Sequence, residues 1–93
     1  MEQKKVVYIA GPITGVDKYW EAFEKSEDEL MAQGYITISP ARLPQGLKLE
    51  QYMMLSFASI NQADAVYFLP DWQYSKGACL ERDYCYYIGK EVL

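Results

Sequence analysis

Three short apolar runs, each closed by proline or a Gly-Pro pair and each followed by a stretch with helical periodicity, leave this chain few ways to fold. Val6 to Ala10 is β-branched, aliphatic and aromatic and stops at Gly11-Pro12, the pattern of a strand buried on both faces. Tyr35 to Ser39 alternates and stops at Pro40, which cannot continue a hydrogen-bonded ladder. Ala65 to Leu69 follows Asp64 and stops at Pro70. The first run is the expected central strand.

Between the runs, Asp17 to about Gln33 carries Trp20, Phe23, Leu30 and Met31 near helical spacing, with Glu21, Glu24, Lys25, Asp28 and Glu29 around them and Gly34 as the stop. After a loop reaching Lys48, a second helix is expected from Leu49 to about Gln62, with Tyr52, Met53, Leu55, Phe57, Ile60 and Ala63 as its apolar set. The third, from Ser75 to Tyr87, has Ser75 as N-cap, an apolar stripe of Leu80, Tyr84 and Ile88, and a stop at Gly89. Glu91 to Leu93 begins a last strand. Such alternation implies one α/β domain over residues 1–93. Its architecture is a three-layer α/β/α stack around a small four- to five-stranded parallel sheet, flavodoxin-like or Rossmann-like, with right-handed crossovers.

Chemistry is bounded by what the chain lacks. It has no histidine, so a Ser-His-Asp triad, a Cys-His pair and the common zinc sites are excluded, and carboxylates must carry any acid, base or nucleophile role. Neither a metal nor another cofactor is expected. A net charge of −4 and a pI near 4.7 argue against binding a long nucleic-acid backbone. No apolar run approaches the about 20 residues that span a bilayer. The opening Met1-Glu2-Gln3-Lys4-Lys5 leads straight into a strand, unlike a signal peptide, so the expected location is cytoplasmic. Cys79 and Cys85 fall on different faces of one helix and are expected to be free thiols.

In open parallel sheets ligands bind beyond the carboxyl ends of the strands, where the strand order reverses. Three segments converge there. Gly11 to Gly15, with Pro12, leaves backbone N–H groups accessible. Asp71-Trp72 offers a carboxylate for sugar hydroxyls and an indole for a flat face. Ser75, Gly77 and Glu81 lie at the start of the third helix, where free N–H groups and the helix dipole favour an anion. Glu81 reaches back toward the strand ends if Leu80 and Tyr84 face the core. Tyr8, alone in an aliphatic strand, is placed to donate its hydroxyl to that carboxylate.

Taken together, Val7-Tyr8-Ile9-Ala10-Gly11-Pro12, Ala63-Asp64-Ala65-Val66, and Ser75-x-Gly77-x-x-x-Glu81 followed by Gly89-Lys90 resemble the nucleoside 2-deoxyribosyltransferase superfamily. More narrowly, the chain resembles a small bacterial and phage group within it, the DUF4406-like one. The resemblance implies that Glu81 attacks the anomeric carbon of a nucleoside or nucleotide, forming a glycosyl-enzyme that water or a second base resolves. A carboxylate suits an oxocarbenium-like transition state. It further implies that Tyr8 positions Glu81 and that Gly11, Asp71, Ser75 and Gly77 contact the sugar or its 5′ end. One position departs: relatives usually carry an aspartate where this chain has Ser56, and serine cannot protonate a leaving base.

Two readings of function follow: an enzyme acting on the N-glycosidic bond of a nucleoside or nucleoside 5′-monophosphate, and a module that binds such a ligand without turnover. A third is an assembly subunit. With 9 tyrosines and 2 tryptophans in so short a chain, self-association into a homo-oligomer is expected, through aromatics such as Tyr19, Trp20, Tyr52 and Tyr86.

Overall fold

The computed structural model describes residues 3–93, so the first two residues of the opening segment lie outside it. Four strands, β1 (Val6–Ala10), β2 (Ile36–Ile38), β3 (Ala65–Phe68) and β4 (Glu91–Val92), alternate with three helices, α1 (Tyr19–Ala32), α2 (Leu49–Gln62) and α3 (Lys76–Ile88). All strands are parallel, in the order β2-β1-β3-β4. β1 is therefore central, as its uninterrupted apolar sequence requires.

Side chains alternate across the sheet and split the core in two. Val7 and Ile9 pack on one face with Phe23 and Leu30 of α1, joined by Ala65 and Leu69. Tyr8 and Ala10 pack on the other with Ile60 of α2, Cys85 of α3, Ala63 and Val66. One helix thus covers one face and two cover the opposite face, the three-layer arrangement that right-handed crossovers impose on this strand order.

Several local expectations are corrected. The face of α1 that meets the sheet is Phe23, Ser26, Glu27 and Leu30, while Trp20 and Met31 are exposed. Glu27 is buried because Arg42 reaches over it, Nε to Oε2 3.0 Å. The stretch after β2 is not all loop: Pro40–Arg42 forms a 3-10 turn capped by Ser39, whose Oγ accepts from Ala41 N. A second 3-10 turn, Trp72–Tyr74, precedes α3. Leu55 is exposed, because the inner face of α2 runs through Ser56 and Ile60.

The amino ends of the strands are tied by polar groups. Asp64 Oδ2 accepts from Val6 N at 2.7 Å, Asp64 N donates to Val6 O at 2.7 Å, and Lys90 Nζ donates to Ala63 O at 2.6 Å. Asp64 and Lys90 are accordingly sheet clamps at the end opposite the strand carboxyl termini. No helix of the described residues is long and apolar enough to cross a membrane.

Candidate functional site

A cavity of about 470 Å³ lies beyond the carboxyl ends of β1 and β3, between the paired strands where the chain order reverses. Gly11, Ile13 and Thr14 form one side, Pro40 and Leu43 after β2 another, and Leu49, Tyr52, Met53 and Ser56 of α2 a third. The start of α3 closes it with Ser75, Lys76, Gly77, Ala78, Leu80 and Glu81.

Glu81 faces inward because α3 lays Ala78, Glu81 and Cys85 against the sheet, one stripe at i, i+3 and i+7. This corrects the expected stripe. Leu80 and Ile88 are exposed, and of the expected set only Tyr84 is held, by a stack on Phe57 at 4.6 Å and by donation of its hydroxyl to Asn61 Oδ1 at 2.7 Å. Small side chains at 78 and 85 let the helix approach closely, and the one charged residue of the stripe becomes part of the cavity wall.

The Glu81 side chain is 93 % removed from solvent, at 7 % relative exposure, and its Oε2 has no hydrogen-bond partner among the described residues. Burial pushes its carboxyl up to about 7, an effect that the Tyr8 hydroxyl partly offsets by favouring the anion. Tyr8 itself is raised, first by burial and then by the Glu81 charge, so it remains a protonated donor. Its oxygen stands 3.0 Å from Ser56 Oγ. A phenol has one proton: directed at Ser56 it leaves Glu81 unaided, and directed at Glu81 it leaves the oxygen to accept from Ser56. The Tyr8–Ser56 hydrogen bond thus joins β1 to α2 in the buried region next to Glu81.

At the mouth of α3, Ser75 is the N-cap and its Oγ accepts from Ala78 N at 3.2 Å. The backbone N–H groups of Lys76 and Gly77 have no partner among the described residues, and both residues line the cavity. A Cβ at Gly77 would sit 3.6 Å from Met53 Sδ and 3.9 Å from Ser75 Oγ, so this glycine leaves open space that a methyl group would fill.

Of the residues expected at the site, Gly11, Ser75, Gly77 and Glu81 line the cavity, and Tyr8 does not line it but is buried behind it, hydrogen-bonded to the lining residue Ser56. Gly11 has a different reason from the one expected: a Cβ there would meet Leu69 Cδ1 at 2.6 Å, so the close approach serves strand packing. Pro12, Asp71 and Trp72 do not line the cavity. Asp71 is exposed in the left-handed region at φ 71, where it starts the 3-10 turn, and Trp72 packs on Phe68 with ring centroids 5.5 Å apart. That turn carries the segment away from the strand ends.

Tyr52, Met53 and Lys76 are lining residues that sequence reasoning did not assign to the site. The Tyr52 hydroxyl donates to Pro44 O at 2.6 Å and accepts from Leu47 N at 3.2 Å, pinning the 43–48 loop as a wall; nothing local in the sequence announces that reach. Lys76 was legible, since a cation beside an N-cap serine reinforces an anion-favouring helix end. Among the described residues no group of three or more Cys, Asp or Glu side chains gathers as cation ligands would.

Comparison with curated proteins returned no match. One family model, described as a domain of unknown function (DUF4406), matches residues 5–93, a span that takes in every strand, every helix and the whole cavity. The chain belongs to the DUF4406 family.

Proposed function

We propose that the chain cleaves or exchanges the N-glycosidic bond of a nucleoside or nucleoside 5′-monophosphate, with Glu81 as nucleophile. The observation that carries this reading is the buried Glu81 carboxyl, with one oxygen unpartnered among the described residues, in the wall of a cavity at the strand ends. An unpartnered carboxylate oxygen in a low-dielectric wall is costly unless it meets developing positive charge, which an anomeric carbon supplies as its bond to the base breaks. In the first step a Glu81 oxygen bonds to C1′ and the C1′–N bond breaks, its electron pair leaving with the base, which takes a proton from water. In the second, water or another base attacks C1′, the C1′–O bond to Glu81 breaks so that Glu81 departs as carboxylate, and the attacking group gives its proton to the hydroxide left by the first step. Tyr8 holds the carboxyl, and the Lys76 and Gly77 N–H groups and Ser75 receive the 5′ hydroxyl or phosphate. The two free cysteines suit a reducing compartment, and a cytoplasmic location is part of the proposal.

A second reading, a binding module without turnover, is favoured by one feature: Glu81 is the single carboxyl among the lining residues, so no second acid protonates the leaving base. Incubation with a panel of nucleosides and 5′-monophosphates, with free base followed by chromatography, separates the two. Base release that disappears in Glu81→Ala supports the enzyme. Ligand-induced thermal stabilisation without release supports the module, and neither effect with any member of the panel rejects both.

A further inference from the structure

The outer face of α3, turned away from the sheet, bears an apolar and charged stripe that nothing among the described residues covers. Lys76, Leu80, Asp83 and Tyr87 follow one another at spacings that, at about 3.6 residues per turn, keep all four within roughly 60° of arc, and all four are exposed. Tyr74 precedes the stripe and Tyr86 flanks it; Tyr74, Tyr86 and Tyr87 are 84–88 % exposed and Leu80 is 53 % exposed. A shallow depression of about 400 Å³ runs along it between Tyr74, Lys76, Cys79, Leu80 and Asp83. Scattered exposed apolar residues need no explanation, whereas a contiguous group of this kind marks a contact surface.

We propose that this face is the contact between two antiparallel copies of the chain, related by a twofold axis passing beside Cys79 and Leu80. Charge selects both the occupant and the direction. Lys76 and Asp83 lie symmetrically about the 79–80 midpoint, so an antiparallel pair centred there sets Lys76 of one copy against Asp83 of the other, twice, as a twofold contact requires. A parallel pair in register would instead oppose lysine to lysine and aspartate to aspartate. Tyr87 of one copy then meets the Trp72–Tyr74 turn of the other. At about 150–250 Å² for each aromatic side chain, the three tyrosines supply roughly 500 Å² of the about 800 Å² per partner that a standard interface buries, and Leu80 with the stems of Lys76 and Asp83 extends it.

The contact also bears on the cavity. Tyr74, Lys76 and Leu80 line both the outer depression and the main cavity, so the second copy backs the wall that α3 contributes to the site. This inference does not depend on the reaction proposed above.

Sedimentation equilibrium of the full chain tests it. The wild-type chain is expected to be a dimer at micromolar concentration. Lys76→Glu and Asp83→Lys each weaken the dimer by on the order of tenfold or more, and the double variant, in which the charges are exchanged, recovers most of the loss. Leu80→Glu gives a monomer, and circular dichroism melting checks that each variant is folded. A wild-type monomer, another stoichiometry, single reversals that dimerise like the wild type, a double variant as weak as the singles, or a folded Leu80→Glu dimer would each overturn the proposal.

Discussion

Tyr8 and Ser56, 48 positions apart in the chain, meet through a 3.0 Å hydrogen bond inside the protein, near enough to Glu81 for the phenol to favour its carboxylate form. β1 and α2 are thereby joined through one hydroxyl. Tyr8→Phe removes the group that favours the Glu81 anion, so the carboxyl is expected to titrate at still higher pH than its value of about 7. Carbon-13 NMR of the glutamate carboxyls reads this directly. An unchanged midpoint would mean that the phenol spends its proton on Ser56 alone.

Glu81 makes stability depend on pH in a direction opposite to that of an ion-paired carboxylate. Its ordinary value is 4.5 and its folded value about 7, so between these the folded chain holds a proton that the unfolded chain has released. The contribution is fully present below about pH 4.5 and is lost as pH rises through about 7. At about 1.4 kcal/mol for each pH unit the loss is on the order of 3 kcal/mol. Glu81→Gln is therefore expected to be more stable than wild type at pH 8 by an amount of that order, with the advantage shrinking toward pH 5. Urea unfolding at the two pH values checks it; an equal effect at both would refute the linkage.

Under the proposed chemistry the same titration appears in the rate with a defined sign. A nucleophile must be ionised, so kcat/KM for base release is expected to rise with pH and level off above about 7. A rate that falls through that range would assign Glu81 the role of proton donor instead.

Gly11 and Gly77 both line the cavity, yet a methyl group is expected to act differently at each. Gly11→Ala drives a Cβ to 2.6 Å from Leu69 Cδ1 and 2.9 Å from its Cβ, and overpacking of this kind costs about 1–3 kcal/mol. Gly77→Ala meets only ordinary contacts with Met53 and Ser75 and gains up to about 1 kcal/mol of helix propensity, while filling part of the cavity. Chemical denaturation combined with ligand titration separates them: the first loses stability, the second loses affinity with stability kept.

Arg42 is expected to matter more than its exposure suggests. Its Nε is the hydrogen-bond donor to Glu27 Oε2, and the other oxygen, Oε1, is buried without a partner among the described residues. Arg42→Ala should lower the melting temperature by more than Arg42→Ala adds when Glu27 is already glutamine, because the neutral amide leaves no uncompensated charge behind. Additive shifts in the thermal double-mutant cycle would show the pair to be uncoupled.

The sequence by itself determined the order and kind of the elements. Proline and glycine end β1, β2, β3 and α3 at the residues where local backbone chemistry says they must, and the alternation of strand and helix leaves a parallel sheet as its simplest outcome. Ser75 as cap and Gly89 as stop were legible for the same local reason. Which side of a helix faces inward was not. In α3 the more hydrophobic stripe of Leu80 and Ile88 is left outside, and Ala78, Glu81 and Cys85 go in, because closeness of approach to the sheet and the neighbouring α2 decides orientation, and those distances are set by residues remote in sequence. The same remoteness hid the fates of Asp71 and Trp72, carried off by a 3-10 turn, and of Ser56, which meets Tyr8 only after α2 crosses to the far side of β1. Local propensity sets where a segment begins and ends; the packing of distant segments alone sets which of its side chains share a cavity.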